Sequence, residues 1–227
     1  MLNGNQLDLL NPAVQEIVFG WLKSGAVIAI HLGTPCSSFS LARRGPAGSL
    51  WGPARSPEHL FGLPGLAPVD QRKVAIGNKL MRFTARVIDT CIHLGIPVSL
   101  ENPHASRLFR MPPIRSLGGL ESCVKYVFDQ CSFGCNWRKR TAVWCWHASL
   151  PELFDRPLCQ SQKGICSFSQ NKHTILEGKA KGATTCMTAA AAAYPQQLAY
   201  VIARGLTNSY CALVHRKLIS FAACQPL

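Results

Sequence analysis

The chain has 227 residues, 48% of them hydrophobic, and carries 24 Lys and Arg against 11 Asp and Glu, a formal charge of +13 with a pI near 9.5. That length suits one full core rather than two, and no run approaches the roughly 18–20 uninterrupted apolar residues of a membrane span. The cationic excess is the footprint of a polyanion binder, without choosing among DNA, RNA and an anionic surface.

The first 30 residues carry Asp8 and Glu16 and lack a basic start followed by an apolar block. No signal peptide is expected, and the chain reads as intracellular, nuclear if eukaryotic. Eleven cysteines in such a chain point to buried thiols, metal ligands or a nucleophile rather than a disulfide framework.

Asn11-Pro12 reads as an N-cap followed by proline at the first helical position, and Gly25 suits the far end. Val14, Ile17, Val18, Trp21 and Leu22 fall between them at helical spacing. Residues 26–32 are continuously apolar apart from His31, the pattern of a strand buried on both faces in a parallel sheet. Residues 44–70 are rich in Gly and Pro and predict a long surface loop or lid with Trp51 and Phe61 as anchors.

A second helix is expected over 69–93, with Gly95 as its stop, and a second buried strand over 96–100, ending at Glu101. The repeated helix–strand–loop unit argues for an α/β sheet with active loops at the strand carboxyl ends. Residues 124–128 and 141–146 predict two strands in an antiparallel hairpin at the sheet edge, 147–187 read as irregular, and Pro195 opens a last helix. Three segments result: 1–146, 147–187 and 188–227.

Gly33-Thr34-Pro35-Cys36-Ser37-Ser38-Phe39-Ser40 follows the first strand, and a Pro-Cys pair there can hold a thiol rigidly over a pocket. Ser99-Leu100-Glu101-Asn102-Pro103 closes the second apolar segment with an acid, and Asn136-Trp137-Arg138-Lys139-Arg140-Thr141 adds a cationic run. Nucleophile, acid and cationic clamp, in that order, resemble the catalytic signature of the cytosine carbon-5 DNA methyltransferases. Asn136-x-Arg138-x-Arg140 resembles the family's Gln-x-Arg-x-Arg element with Asn in place of Gln. The resemblance covers roughly residues 7–146, and more loosely 159–206.

The resemblance implies a Rossmann-like methyltransferase sheet and methyl transfer from S-adenosylmethionine to carbon 5 of a flipped cytosine. Cys36 would add to carbon 6, making the ring an enamine that attacks the methyl sulfonium. Glu101 would face ring N3, Arg140 would contact O2, and Arg138 would support the base or a phosphate. Asp8, Pro35 and Asn102 would lie on the cofactor side. Ser37, Arg43, Lys139 and Lys172 are expected to touch DNA.

The family's amino-terminal Gly-rich cofactor turn has no counterpart here; Gly4 in Met1-Leu2-Asn3-Gly4-Asn5 follows no strand. The chain therefore reads as a domain truncated at its cofactor end, completed by a missing amino-terminal segment or a partner chain. The alternative is a non-catalytic nucleic-acid-binding descendant of the family.

Cys159, Cys166 and His173 recur every seven residues in the irregular segment. With one earlier Cys they are candidate zinc ligands, although their spacing matches no common zinc module and buried thiols are the plainer reading.

Overall fold

The computed structural model describes residues 8–41, 52–176 and 187–223. Helix α1, Pro12–Lys23, starts where expected: Asn11 Oδ1 accepts from Ala13 N at 3.0 Å with Pro12 behind it. Its Phe19 and Leu22 are buried, Phe19 meeting Phe83 edge-on. Helix α2, Pro68–Leu94, ends on Gly95 in the left-handed conformation at φ 68°, which glycine adopts without a Cβ penalty.

Strand β1, Ile30–Leu32, runs parallel to β2, Val98–Pro103, with α2 as the crossover between them. Strand β3, Cys123–Asp129, and β4, Arg140–Trp146, form the expected hairpin. The order β1-β2-β4-β3 makes a four-stranded open sheet with one parallel and two antiparallel pairs. The fold is thus mixed α/β.

Each sheet face carries its own core. Val98, Leu100 and Trp146 pack with Met81 and Ile88 of α2 and with Ile114 of α3, Pro112–Gly118. Tyr126, Val143 and Cys145 face the other way, against Leu198, Val201 and Ile202 of a long carboxyl-terminal helix, Gln196–Ala223. The alternation along β4 is the period of two that places successive side chains on opposite faces.

Three expectations need correction. The apolar run 26–32 is a strand only from Ile30 and is half-buried, with Ile28 45% exposed. A run of apolar residues does not reveal how many strand neighbours it will have, and β1 has one among the described strands. Glu101 and Asn102 do not follow β2 but lie within it, paired opposite Val143 and Ala142. Phe61 is no anchor at 47% exposure; fully buried Arg55 takes that role. Trp51, the other expected anchor, lies outside the described residues.

Arg55 donates to Ser38 O and Ser38 Oγ, to Leu60 O and Val74 O, and to Asn78 Oδ1. One cation thereby ties the Gly/Pro segment and α2 to the loop that carries Cys36. Beyond β4 come a single helical turn, Pro151–Phe154, and two isolated bridges, Gln162↔Ile165 and Ile165↔Lys172. The described part of that segment, residues 147–176, is as irregular as its composition suggests. No helix among the described residues is long and apolar enough to cross a membrane.

Candidate functional site

The loop after β1 is held from both sides. Cys36 O accepts from Phe39 N and Ser40 N at 2.9 and 2.8 Å, closing a turn under the half-buried thiol. Thr34 Oγ1 bonds Thr84 Oγ1 of α2 at 2.7 Å, and Asn102 Nδ2 donates to Thr34 O at 2.6 Å. The parallel register sets this up, because Leu32↔Leu100 places the end of β1 beside the residue that precedes Glu101 in β2.

Glu101 is 6% exposed. Tyr194 donates its hydroxyl to Oε2 at 3.0 Å, and Lys139 Nζ stands 3.8 Å from Oε1. That distance is an ion pair rather than a hydrogen bond, so Oε1 is buried without a hydrogen-bond partner among the described residues. Asn102 Oδ1 is in the same position.

Burial raises the Glu101 carboxyl above the usual carboxylate range, against the lowering pull of Lys139 and Tyr194. Burial also raises the Cys36 thiol; Lys139 lowers it and Glu101 raises it. Cys36, Glu101 and Lys139 therefore form one electrostatic group. Protonating Glu101 leaves Lys139 as the dominant charge on the thiol, which favours its reactive thiolate.

A cavity of about 460 Å³ opens over this group, walled by Cys36, Ser40, Pro103, Arg138, Lys139 and Arg140 among others. The three motifs thus converge. Within the cationic run the roles divide: Lys139 reaches Glu101, whereas Arg138 and Arg140 pair with buried Asp129. Arg140 grips that carboxylate through Nε and Nη2 at 3.1 and 3.0 Å.

The other expected positions scatter. Asp8 is exposed and its carboxylate accepts from Leu10 N in the turn before α1. Pro35 is exposed, and Asn102 spends its amide on Thr34. These three would lie beside S-adenosylmethionine, yet neither the cavity above nor a second one of about 330 Å³ beside His31 and Tyr194 includes any of them in its wall. Ser37 and Lys172 are exposed, and Arg43 lies outside the described residues.

Cys159, Cys166 and His173 do come together, and the earlier cysteine that joins them is Cys131; their ligand atoms all lie within 4.8 Å of one another. Cys159 Sγ is 3.9 Å from Cys166 Sγ and 3.8 Å from His173 Nε2. Those are close to the edges of a tetrahedron around an ion with metal–sulfur bonds of about 2.3 Å. Burial raises the Cys166 thiol, but the backbone N–H groups of Ser169 and Phe168 outweigh it and bring it down to about 6. The thiolate is the metal-binding form, and the four groups can hold a metal ion.

Sequence reasoning missed Tyr194 and Asp129. A Tyr-Pro pair before a helix and an Asp ending a strand are common, and only the long-range contacts mark them. His31 Nε2 lies 3.1 Å from Tyr194 Oη, so the histidine supports the site rather than attacking within it. No protein-family model, curated protein or solved structure matches this chain.

Proposed function

We propose that this chain is a DNA cytosine-5 methyltransferase-like protein that takes a flipped cytosine into the 460 Å³ cavity. The observation that carries this reading is the convergence on one cavity of Cys36 and the Arg138-Lys139-Arg140 run, with Glu101 outside its wall but ion-paired to Lys139. The parallel β1–α2–β2 unit, with Cys36 in the loop after β1 and Glu101 in the carboxyl-terminal half of β2, supports a Rossmann-like methyltransferase sheet. The outer edge of β1 pairs with no other described strand and is open to a partner's strand.

The chemistry of the chain's own residues is addition. The Cys36 thiolate forms a bond to cytosine carbon 6, the ring's 5,6 double bond opens, and the electron pair delocalises toward N3. Glu101, whose carboxyl burial raises, is in this reading the proton source for N3, and the cationic run offsets charge developing on O2. The base must leave the duplex to reach them. S-adenosylmethionine, when bound, supplies the methyl group for carbon 5.

A duplex carrying 5-azacytosine, whose carbon 6 is strongly electrophilic, tests the addition. The expected result is an adduct on a denaturing gel that maps to Cys36 and disappears in Cys36→Ser. A parallel 5-fluorocytosine duplex with S-adenosylmethionine reads transfer itself. Absent adducts from a folded chain that still binds DNA would leave the non-catalytic descendant.

The ion of the Cys131, Cys159, Cys166 and His173 group is, in this reading, zinc, which prefers four-coordinate thiolate and imidazole sets. Elemental analysis of the purified chain tests that.

A further inference from the structure

Asp129 joins the metal group to the arginines. Its carboxylate, closing β3 and fully buried, accepts from Arg140 Nε and Nη2, from Arg138 Nε at 3.4 Å, and from the backbone N–H of Cys159 at 2.9 Å. Cys159 belongs to the metal group, as does Cys131, which lies two residues beyond Asp129 in the short turn Gln130–Phe133. A second tie crosses nearby: Thr174 N, next to His173, donates to Asn136 O at 2.7 Å, where the cationic run begins.

Both arginines also wall the cavity. No hydrogen bond among the described residues occupies Arg138 Nη1 or Nη2, or Arg140 Nη1. Asp129 therefore holds one edge of each guanidinium and leaves other N–H groups for a ligand. A free arginine side chain loses rotamer freedom when it binds, so fixing two beforehand removes a cost from binding.

The segment that presents Cys159 has no regular element beyond two isolated bridges and is held by scattered hydrogen bonds, to which a metal bound by Cys131, Cys159, Cys166 and His173 adds a tie.

We propose that the metal at Cys131, Cys159, Cys166 and His173 orients Arg138 and Arg140 through Asp129, so that the chain grips the anionic DNA backbone firmly only in its metal-bound form. The inference rests on the nucleic-acid reading above but not on methyl transfer. Asp129 is a positioning residue, and the arginines are the groups that meet phosphate or base.

A rival view of Asp129 predicts the opposite sign. If the carboxylate only neutralises the arginines, removing its charge should tighten DNA binding.

The test uses the full chain, loaded with zinc, and a short fluorescent duplex followed by anisotropy over a range of salt. Chelation of the wild-type chain is expected to weaken binding about tenfold and to flatten the salt dependence by about two in log–log slope, as two arginine contacts would. Zinc addition should restore both. Asp129→Asn should keep its metal and, with cobalt in place of zinc, its absorption spectrum, yet show the same loss of affinity and slope.

A chain that takes no metal, a holo form that does not bind the duplex, or equal binding with and without metal would each overturn the inference. Unchanged or tighter binding by metal-loaded Asp129→Asn overturns it as well. If that variant does not fold, the wild-type chelation arm decides. Failure of the 5-azacytosine adduct alongside metal-gated binding would sink the chemistry and leave this inference standing.

Discussion

The Tyr194 hydroxyl donates to Glu101 Oε2 at 3.0 Å across 93 residues of sequence, joining the segment before the last helix to the second strand. With its one proton given to Glu101, that oxygen must accept from His31 Nε2, 3.1 Å away. His31 Nδ1 is then the acceptor for Ser99 Oγ at 2.7 Å. The chain of bonds assigns a neutral His31 protonated on Nε2, consistent with its burial.

Tyr194→Phe tests that relationship. Glu101 Oε1 already lacks a hydrogen-bond partner, and the substitution leaves Oε2 without its donor too. The expected cost is on the order of 1–2 kcal/mol in urea unfolding. The carboxyl should also become harder to ionise, because the lost bond favoured the carboxylate. A carbon-13 titration of Glu101 that did not move upward would show that Tyr194 has no hold on it.

Cys36 reports on the two charges beside it. Glu101 raises its thiol and Lys139 lowers it, so Glu101→Gln should speed alkylation of Cys36 at neutral pH several-fold, and Lys139→Met should slow it. Peptide mass spectrometry separates this site from the other ten of the eleven cysteines. Shifts of the same sign in both variants would mean that general loosening, not charge, governs the thiol.

Local signals made much of this legible in the sequence. Helix α1 announced itself through a cap, a period and a stop glycine, α2 through a period and a stop glycine, and the β3–β4 hairpin through its two apolar runs. Cys36, Glu101 and the cationic run could be placed because each sits at or near a strand end. Tyr194, Asp129 and Arg55 could not, since their meaning lies in partners far along the chain, and such contacts leave no periodicity. The same limit applies to β1, whose apolar run says nothing about sheet neighbours, and to Cys131, which nothing local distinguishes from Cys135 or Cys145 as the remaining ligand.

Gly77 of α2 makes room for the Arg55 anchor. A Cβ there would lie 2.6 Å from Ser38 Oγ, 3.0 Å from Arg55 Nη2 and 3.2 Å from Phe39 Cε2. Helix propensity alone favours Gly77→Ala by about 1 kcal/mol. Overpacking of a buried cluster costs about 1–3 kcal/mol, and both the guanidinium and Ser38 are pinned by several bonds. Net destabilisation is expected, with faster alkylation of Cys36 as its loop loosens. A variant more stable than wild type in urea would show that the cluster yields.

His31 sets the response to acid. Burial lowers its imidazole to about 4, whereas an unfolded chain titrates near 6.5. Above pH 6.5 the neutral ring costs the fold nothing. As pH falls through the window from about 6.5 to 4, the unfolded chain takes up a proton that the folded one refuses, and stability drops by on the order of 3 kcal/mol. Glu101 works in the other direction: its raised carboxyl takes up a proton first in the folded state, so its contribution is fullest in acid and fades as pH rises through that raised value. The two terms oppose each other in the wild-type chain, and His31→Gln removes only the first. The variant should therefore lose less stability than wild type between pH 7 and about 4, read as the difference between their urea midpoints. Parallel midpoints across that range would mean that His31 is solvated enough to titrate normally and that the Ser99–His31–Tyr194–Glu101 chain does not hold it neutral.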